Sequence, residues 1–348
     1  MDLKFGYTIS WSPFEEIISR SVEAEKFGFD SLWYHDHLMI PGNAPVFESF
    51  SLLTALATKT NHCKIGQTVM DVSRRHPATI AQYALTLNHI SNGRAFLGLG
   101  AGEAMNLAPL GIDIKKPLKR LRESIQFVKG LFNATTDTPF NFSGEIFSAK
   151  NVFLNTGKKM ESSPPVYVGA GGPRTREITG ELADGWIPYV HSLLNYEKLL
   201  KDIINGTKKT KRKISDIDLV ANVPILITQN ENDERKKKIG RSLSIRLILE
   251  ANTLRDLGWN GEIPKEFSQS NMIVDESMSK KLDQVADSIP SEITEQIAAI
   301  GRPSEIIEVL ENYKKMGAKH FLIKFLGQTT TDDFKKFNSE IIQVMKNA

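Results

Sequence analysis

The sequence predicts an α/β fold of the (β/α)8 TIM barrel type, and three observations carry that expectation. Short apolar runs alternate with amphipathic stretches along almost all of the 348 residues. Eight strand–helix pairs can be marked off, and the strands are suited to burial on both faces, as in a parallel sheet covered by helices. The length also suits one α/β barrel. An open, doubly wound sheet is the rival arrangement.

The pairs run as follows. "LKFGYTI" is a strand, and "SPFEEIISRSVEAEKFG" is its helix, with Ser12 as cap, Pro13 in the first turn and Gly28 at the end. "DSLWYH" is the second strand and residues 48–60 the second helix. "CKIGQTV" is the third, and Pro77 opens the helix "PATIAQYALTLNHIS". Asn92-Gly93 turns the chain into "RAFLGLG", whose helix runs from Pro117 to Phe132. "PPVYVGA" with "RTREITGELA" and "GWIPYV" with "EKLLKDIINGTKK" follow. "DLVANVPILIT" is the seventh strand, a helix runs from Pro303 to near Gly317, and "HFLIKF" is the eighth, followed by "TTDDFKKFNSEIIQVMKN". The extra length at 133–163 and 231–300 reads as insertions into a single domain over 1–348, the second mostly polar and helical, with no strand.

Composition removes several function classes. With 44 Lys+Arg against 41 Asp+Glu the formal charge is +3, too small for a nucleic-acid binder, and "KKTKRK" at 208–213 reads as a solvated helix end. One cysteine, Cys63, excludes an internal disulfide framework and a Cys-based zinc site, and is expected to be a buried structural thiol. The N-terminus lacks a signal pattern, and no apolar run approaches the ~18 residues that span a bilayer. The expectation is a soluble, cytoplasmic protein acting on a small molecule.

In a barrel, chemistry sits at the C-terminal ends of the strands. Four successive strands here end in titratable or glycine-rich loops: "HDH" (His35, Asp36, His37), "TVMDVSRRHP", "GLGAGEAMN" and "GAGGPR". Loops at the other end, such as "FGFD" and "SNGR", are ordinary turns. His35 and His37 share a strand face and Asp36 points the other way. The two imidazoles could bind a metal, although no third ligand is evident, or one could be a satisfied histidine under a loop. An acid–base role is the preferred reading. "GLGAGE" is G-x-G-x-G, not the dinucleotide fingerprint G-x-G-x-x-G, and suits a loop whose backbone approaches a flat ring, with Glu103 at the mouth or capping a helix. "GAGGP" leads into a helix at Pro173, and its amides suit a phosphate.

"SLWYHDH", "GQTVMDVSRRHPATIAQ", "SNGRAFLGLGAGEAMN", "RLRESI" and "VYVGAGGP…ADGW" resemble the luciferase-like family of flavin and deazaflavin oxidoreductases. The resemblance covers almost the whole chain and is closest to the branch using coenzyme F420, a 5-deazaflavin. That branch includes an F420-dependent glucose-6-phosphate dehydrogenase and methylenetetrahydromethanopterin reductase. It implies a barrel with an insertion, usually a homodimer. It places Asp36 against the deazaflavin and makes His37 the base and Glu103 the proton donor. Thr68-Val69 matches a non-prolyl cis peptide behind the ring, with Asp71 in the same loop. Asn106 matches the Asn of G-x-G-E-x-x-N, and Ala170, Gly171 and Gly172 match the loop near the phosphate-bearing tail.

Departures narrow the substrate. Pro41 stands where the sugar-phosphate enzyme has a tryptophan, and Gln296 where it has its phosphate arginine. "LGIDIKKP" (Leu110 to Pro117) resembles the reductase, yet "ISWSPF" has no carboxylate before Glu15, where the reductase carries carboxylates. The implied activity is F420-dependent hydride transfer with a small alcohol, carbonyl or methylene-tetrahydropterin. Trp11 could line the pocket, while Trp33 suits the core. An FMN-dependent monooxygenase of the same family and a non-catalytic ligand-binding barrel are the competing readings.

Overall fold

The computed structural model describes residues 2–41, 43–113, 115–156, 162–230, 233–269 and 271–348. The strands in chain order are β1 (Lys4–Thr8), β2 (Ser31–Tyr34), β3 (Lys64–Gln67), β4 (Met70–Asp71), β5 (Leu97–Gly100), β6 (Phe140–Ser143), β7 (Ser148–Val152), β8 (Val166–Gly169), β9 (Gly185–Ile187), β10 (Asp218–Ile227), β11 (Ala299–Gly301) and β12 (His320–Phe325). Pairing runs β3-β2-β1-β12-β10-β9-β8-β5-β4, all of it parallel. β3 and β4 are one run of chain broken by the cis peptide Thr68-Val69. β3 registers Leu32↔Ile65 with β2, β4 registers Met70↔Leu99 with β5, and a bridge Ile65↔Ala95 joins the two halves. The sheet therefore closes into a TIM barrel, and the doubly wound alternative is excluded.

Alternation along the strands fills the interior. Trp33, Phe96, Tyr167, Ile187, Val220 and Leu322 pack there as one cluster, while the outward residues join the larger core beneath the helices. At the floor, Asp218 accepts from Tyr167 Oη at 2.7 Å and lies 3.1 Å from His320 Nδ1. Burial opposes charge on Asp218, yet the hydrogen bond and charge of His320, with Lys4 and Tyr167, hold its carboxyl well below the usual range.

The structure shifts several expected boundaries. Pro13 itself stands at the N-cap of the helix Phe14–Lys26, which has no side-chain cap, so Ser12 does not serve that role; Glu15 and Glu16 complement the helix dipole in the first turn. The helix expected from Glu197 starts at Leu193, because Asn195 Oδ1 accepts from the Ser192 amide at 2.9 Å. The 133–163 insertion carries the β6–β7 hairpin, held down by Phe140 and Phe142 against Phe127 at centroid distances of 5.1 and 5.5 Å. The second insertion, expected to lack a strand, ends in β11, whose three residues pair with β10 and are too few to show a period in sequence. Its helices Glu234–Ile248 and Glu276–Asp287 form an apolar cluster with Val190, Leu226 and Leu326 from the strand ends. The insertion thus covers part of the C-terminal mouth.

The glycines of "GLGAGE" have a specific occupant. A Cβ on Gly100 would lie 2.6 Å from Val69 Cγ2 and one on Gly169 2.9 Å from the same methyl, while one on Gly98 would strike the Gln67 carbonyl. The room these glycines leave is filled by Val69, not left clear beneath a ring. We expect Gly98→Ala to lower the free energy of unfolding by ~2 kcal/mol or more, since backbone must shift to admit the methyl. Urea denaturation measures it; an unchanged midpoint would show that β3 and β5 yield freely.

Candidate active site

Alternation on β2 brings Ser31, Trp33 and His35 to the barrel interior in successive rungs, so His35 reaches the mouth. Its Nδ1 donates to the Thr68 carbonyl at 2.8 Å, which leaves Nε2 bare, buried and without a partner. Burial, followed by the charges of Lys324 and His37, pushes its pKa well below the ordinary value, so the ring is neutral. Trp11, on the loop after β1, stands 5.2 Å from the His35 ring and 5.6 Å from the His37 ring. Trp33 is fully buried in the barrel core.

His37 Nε2 lies 3.2 Å from Glu103 Oε2, and both side chains are partly exposed. A proton on Nε2 facing that carboxylate leaves Nδ1 bare, and Nδ1 has no partner among the described residues. Asn106 Oδ1 accepts from the amides of Leu38 and Met39 at 2.7 and 2.9 Å, and its Nδ2 reaches Glu103 at 3.5 Å. Asn106 therefore fixes both the loop carrying His37 and the carboxylate opposite it. Glu103 stands at the N-cap of the short helix Ala104–Leu107 without a side-chain cap bond, free to face His37.

Asp36 is turned toward the helix Ser49–Ala57 and is 5% exposed. Its oxygens accept from Ser49 Oγ at 2.8 Å, Arg74 Nη2 at 2.5 Å and Arg75 Nη1 at 2.8 Å. Asp71 accepts from the Ser73 and Arg74 amides and from Arg74 Nε. Both aspartates thus hold the arginines of "SRRHP". Thr68 and Val69 lie at the back of the mouth. Ala170 is buried against Ile187 and Trp186, and Gly172 opens the helix Pro173–Leu182.

Three charged groups at the mouth were not singled out in the sequence. Glu250 stands against Gly171, where a Cβ would lie 2.7 Å from its Oε1, and Gln269 Nε2 donates to that oxygen at 3.3 Å. Burial, offset in part by Arg176 and reinforced by Glu103, pushes its carboxyl up to about 7. Arg246 lies over the Tyr189 ring at 5.7 Å, and Lys324 lies over the Trp11 ring at 5.7 Å. Lys324 had a legible signal: His320, Leu322 and Lys324 share the inward face of β12, so a lysine there is aimed at the mouth. Arg246 and Glu250 had none, since both lie in a helical insertion without a motif.

Elsewhere, Glu25, His62 and Cys63 bring possible ligand atoms within 4.8 Å of one another. Glu25, however, accepts from the amides of Asn61, His62 and Cys63, and burial pushes the Cys63 thiol up. The group is a turn tie, and the thiol donates to the Phe29 carbonyl at 2.9 Å. Gln296 lines an outer recess of about 300 Å3 with Ser192, Val223 and Tyr313, and no charged side chain borders it. Among the described residues no helix is long and apolar enough to cross a membrane.

Residues 4–320 match the luciferase-like monooxygenase family, and the chain belongs to it. Among its relatives, the 5,10-methylenetetrahydromethanopterin reductase of Archaeoglobus fulgidus is 28% identical, covering 93% of each chain. The F420-dependent glucose-6-phosphate dehydrogenase of Amycolatopsis mediterranei is 25% identical, covering 99% of each. Among solved structures, the coenzyme F420-dependent tetrahydromethanopterin reductase from Methanopyrus kandleri aligns with a TM-score of 0.82 at 19% identity, over 99% of this chain and 100% of that one. An F420-dependent secondary alcohol dehydrogenase, in complex with an F420-acetone adduct, aligns at 0.80 and 20% identity, over 99% of each chain.

Glu250 makes stability depend on pH. A carboxyl raised from 4.5 to about 7 binds its proton more tightly folded than unfolded, so its contribution is present below pH 4.5 and is lost as the pH rises to about 7. Glu250→Gln removes that loss. We expect the variant to match the parent near pH 4.5 and to exceed it by ~1–2 kcal/mol at pH 8, after allowance for solvent screening. Chemical denaturation at the two pH values decides it, and a gap that does not widen with pH would place the raised pKa elsewhere.

Proposed function

We propose that this chain is a coenzyme F420-dependent oxidoreductase that transfers a hydride between the deazaflavin and a small organic substrate. The observation that carries the reading is the His37–Glu103 pair, with a bare, partnerless ring nitrogen at the mouth of a luciferase-like barrel. Three of the proteins named above, the glucose-6-phosphate dehydrogenase, the secondary alcohol dehydrogenase and the Methanopyrus reductase, are F420-dependent, which supports the cofactor.

The residues present fit the group. Unpartnered buried atoms of Trp11, His35 and His37 face one mouth, and Thr68 and Val69 form its back wall. In this reading Thr68, Val69 and Asn106 border the ring, and Ala170, Gly171 and Gly172 hold the tail at the start of the helix Pro173–Leu182. Asp36 and Asp71 serve the cofactor by fixing Arg74 and Arg75 beside it. When bound, the deazaflavin supplies a ring carbon that gives or accepts a hydride.

His37 moves the accompanying proton at Nδ1. Glu103 orients the imidazole through Nε2 and steadies the cation formed when Nδ1 is protonated. Asn106 keeps the two elements in register, and the 231–300 insertion limits water at the mouth. The reading carries with it a homodimer, as the family resemblance implies, working in the cytoplasm.

Titration with F420 and, separately, with FMN, followed by tryptophan fluorescence, tests the cofactor. Saturable binding of F420 in preference to FMN is expected, and preference for FMN would move the chain to the oxygen-using branch. We expect His37→Ala to keep F420 affinity and to cut turnover by ~100-fold or more on the best substrate from a screen of alcohols, imines and enones. Turnover equal to the parent's would take His37 out of the mechanism.

A further inference from the structure

Four charged groups gather at the mouth: Glu103, Glu250, Lys324 and Arg246. Lys324 lies at the top of the inward face of β12, and its register partner on β10 is Pro224. One inward rung lower on β10, Asn222 donates through Nδ2 to the Tyr189 carbonyl at 3.0 Å, and Arg246 Nη2 reaches the same carbonyl at 3.4 Å. The guanidinium therefore sits beside the rung of Lys324.

Neither cation has a carboxylate within ion-pair distance among the described residues. Arg246 Nε is buried without a partner, and so is Trp11 Nε1 beneath the Lys324 ammonium. Burial, followed by the charge of Arg246, pushes Lys324 down to about 7, and no acidic group offsets it. Two buried cations left together without an ion-pair partner cost stability, and such arrangements are characteristic of sites that bind an anion.

We propose that Lys324, Arg246 and Trp11 Nε1 form a subsite for a substrate carboxylate, so that the enzyme acts on small 2-hydroxy acids or the corresponding 2-oxo acids. This rests on the proposed hydride-transfer reading and names its substrate class. Trp11 borders both ends of the site: Lys324 lies 5.7 Å from its ring, and the ring lies 5.6 Å from that of His37, so the cation and the proton-moving histidine face the same indole. A hydroxy acid loses its C2 hydrogen with the bonding electron pair to oxidised F420 and its hydroxyl proton to His37, leaving the 2-oxo acid and reduced coenzyme. The uncharged recess at Gln296 lies outside the barrel and is a different place.

Isothermal titration of the purified full-length protein tests the subsite, with lactate, pyruvate, propane-1,2-diol and inorganic phosphate as probes. Binding of lactate or pyruvate, with no binding of the diol and weaker binding of phosphate, is expected. Lys324→Met should weaken it at least ~10-fold and Lys324→Arg restore it to within ~3-fold. Lys324→Met should not lower Tm, because an apolar side chain replaces an unpaired buried ammonium. Arg246→Met provides a second, independent loss. No carboxylate binding, tighter phosphate binding, or an equal loss of F420 affinity in Lys324→Met would each overturn the subsite, the last by giving the cations to the coenzyme. Carboxylate binding without F420 binding would leave the subsite standing while the cofactor reading fell. F420 binding without carboxylate binding would do the reverse.

Discussion

Asp36 places a carboxylate where water barely reaches, between two histidines that must face the other way. A buried charge of that kind persists only when it is paired and hydrogen-bonded. Ser49, Arg74 and Arg75 satisfy it, and Arg74 also reaches Asp71. The knot joins the end of β2 to the loop after β4 and to the helix Ser49–Ala57. His35 and His37 take their directions from it, since each neighbours a residue that cannot turn. Removing one partner would leave an uncompensated charge, and the loops would have to rearrange to hydrate it.

Around that anchor the mouth gathers charges of both signs. Asn106 and Gln269 hold Glu103 and Glu250. Lys324 and Arg246 have no carboxylate within ion-pair distance among the described residues. A ligand with a transferable proton and a negative charge would find partners for both. The sugar-phosphate relative is matched along 99% of its length. Even so, Pro41 and Gln296 depart from it, and the recess at Gln296 holds no charge for a phosphate. The cations of this chain lie instead within the barrel mouth.

The barrel closes through a short seam. β3 and β4 together make one strand, divided at Thr68-Val69, with Val69 filling the space that Gly98, Gly100 and Gly169 leave. The same glycines suggested a cradle for a ring when seen only as G-x-G-x-G. Their packing against Val69 is a contact across strands, and spacing along the chain cannot distinguish the two.

The alternation of apolar runs and amphipathic stretches determined the barrel, because strands buried on both faces and helices buried on one face carry their period in the sequence. It also determined which loops hold the titratable residues, since a parallel barrel puts all strand ends of one kind on one side. The tertiary structure alone decided that His37 meets Glu103, that Asp36 belongs to two arginines, and that Lys324 and Arg246 meet at the mouth with no carboxylate within ion-pair distance among the described residues. Those are facts about distance between residues far apart in the chain: 66 positions for His37 and Glu103, 38 and 39 for Asp36 and its two arginines, and 78 for Arg246 and Lys324. Burial and charge interact through space, and only the closed barrel brings these groups within reach of one another.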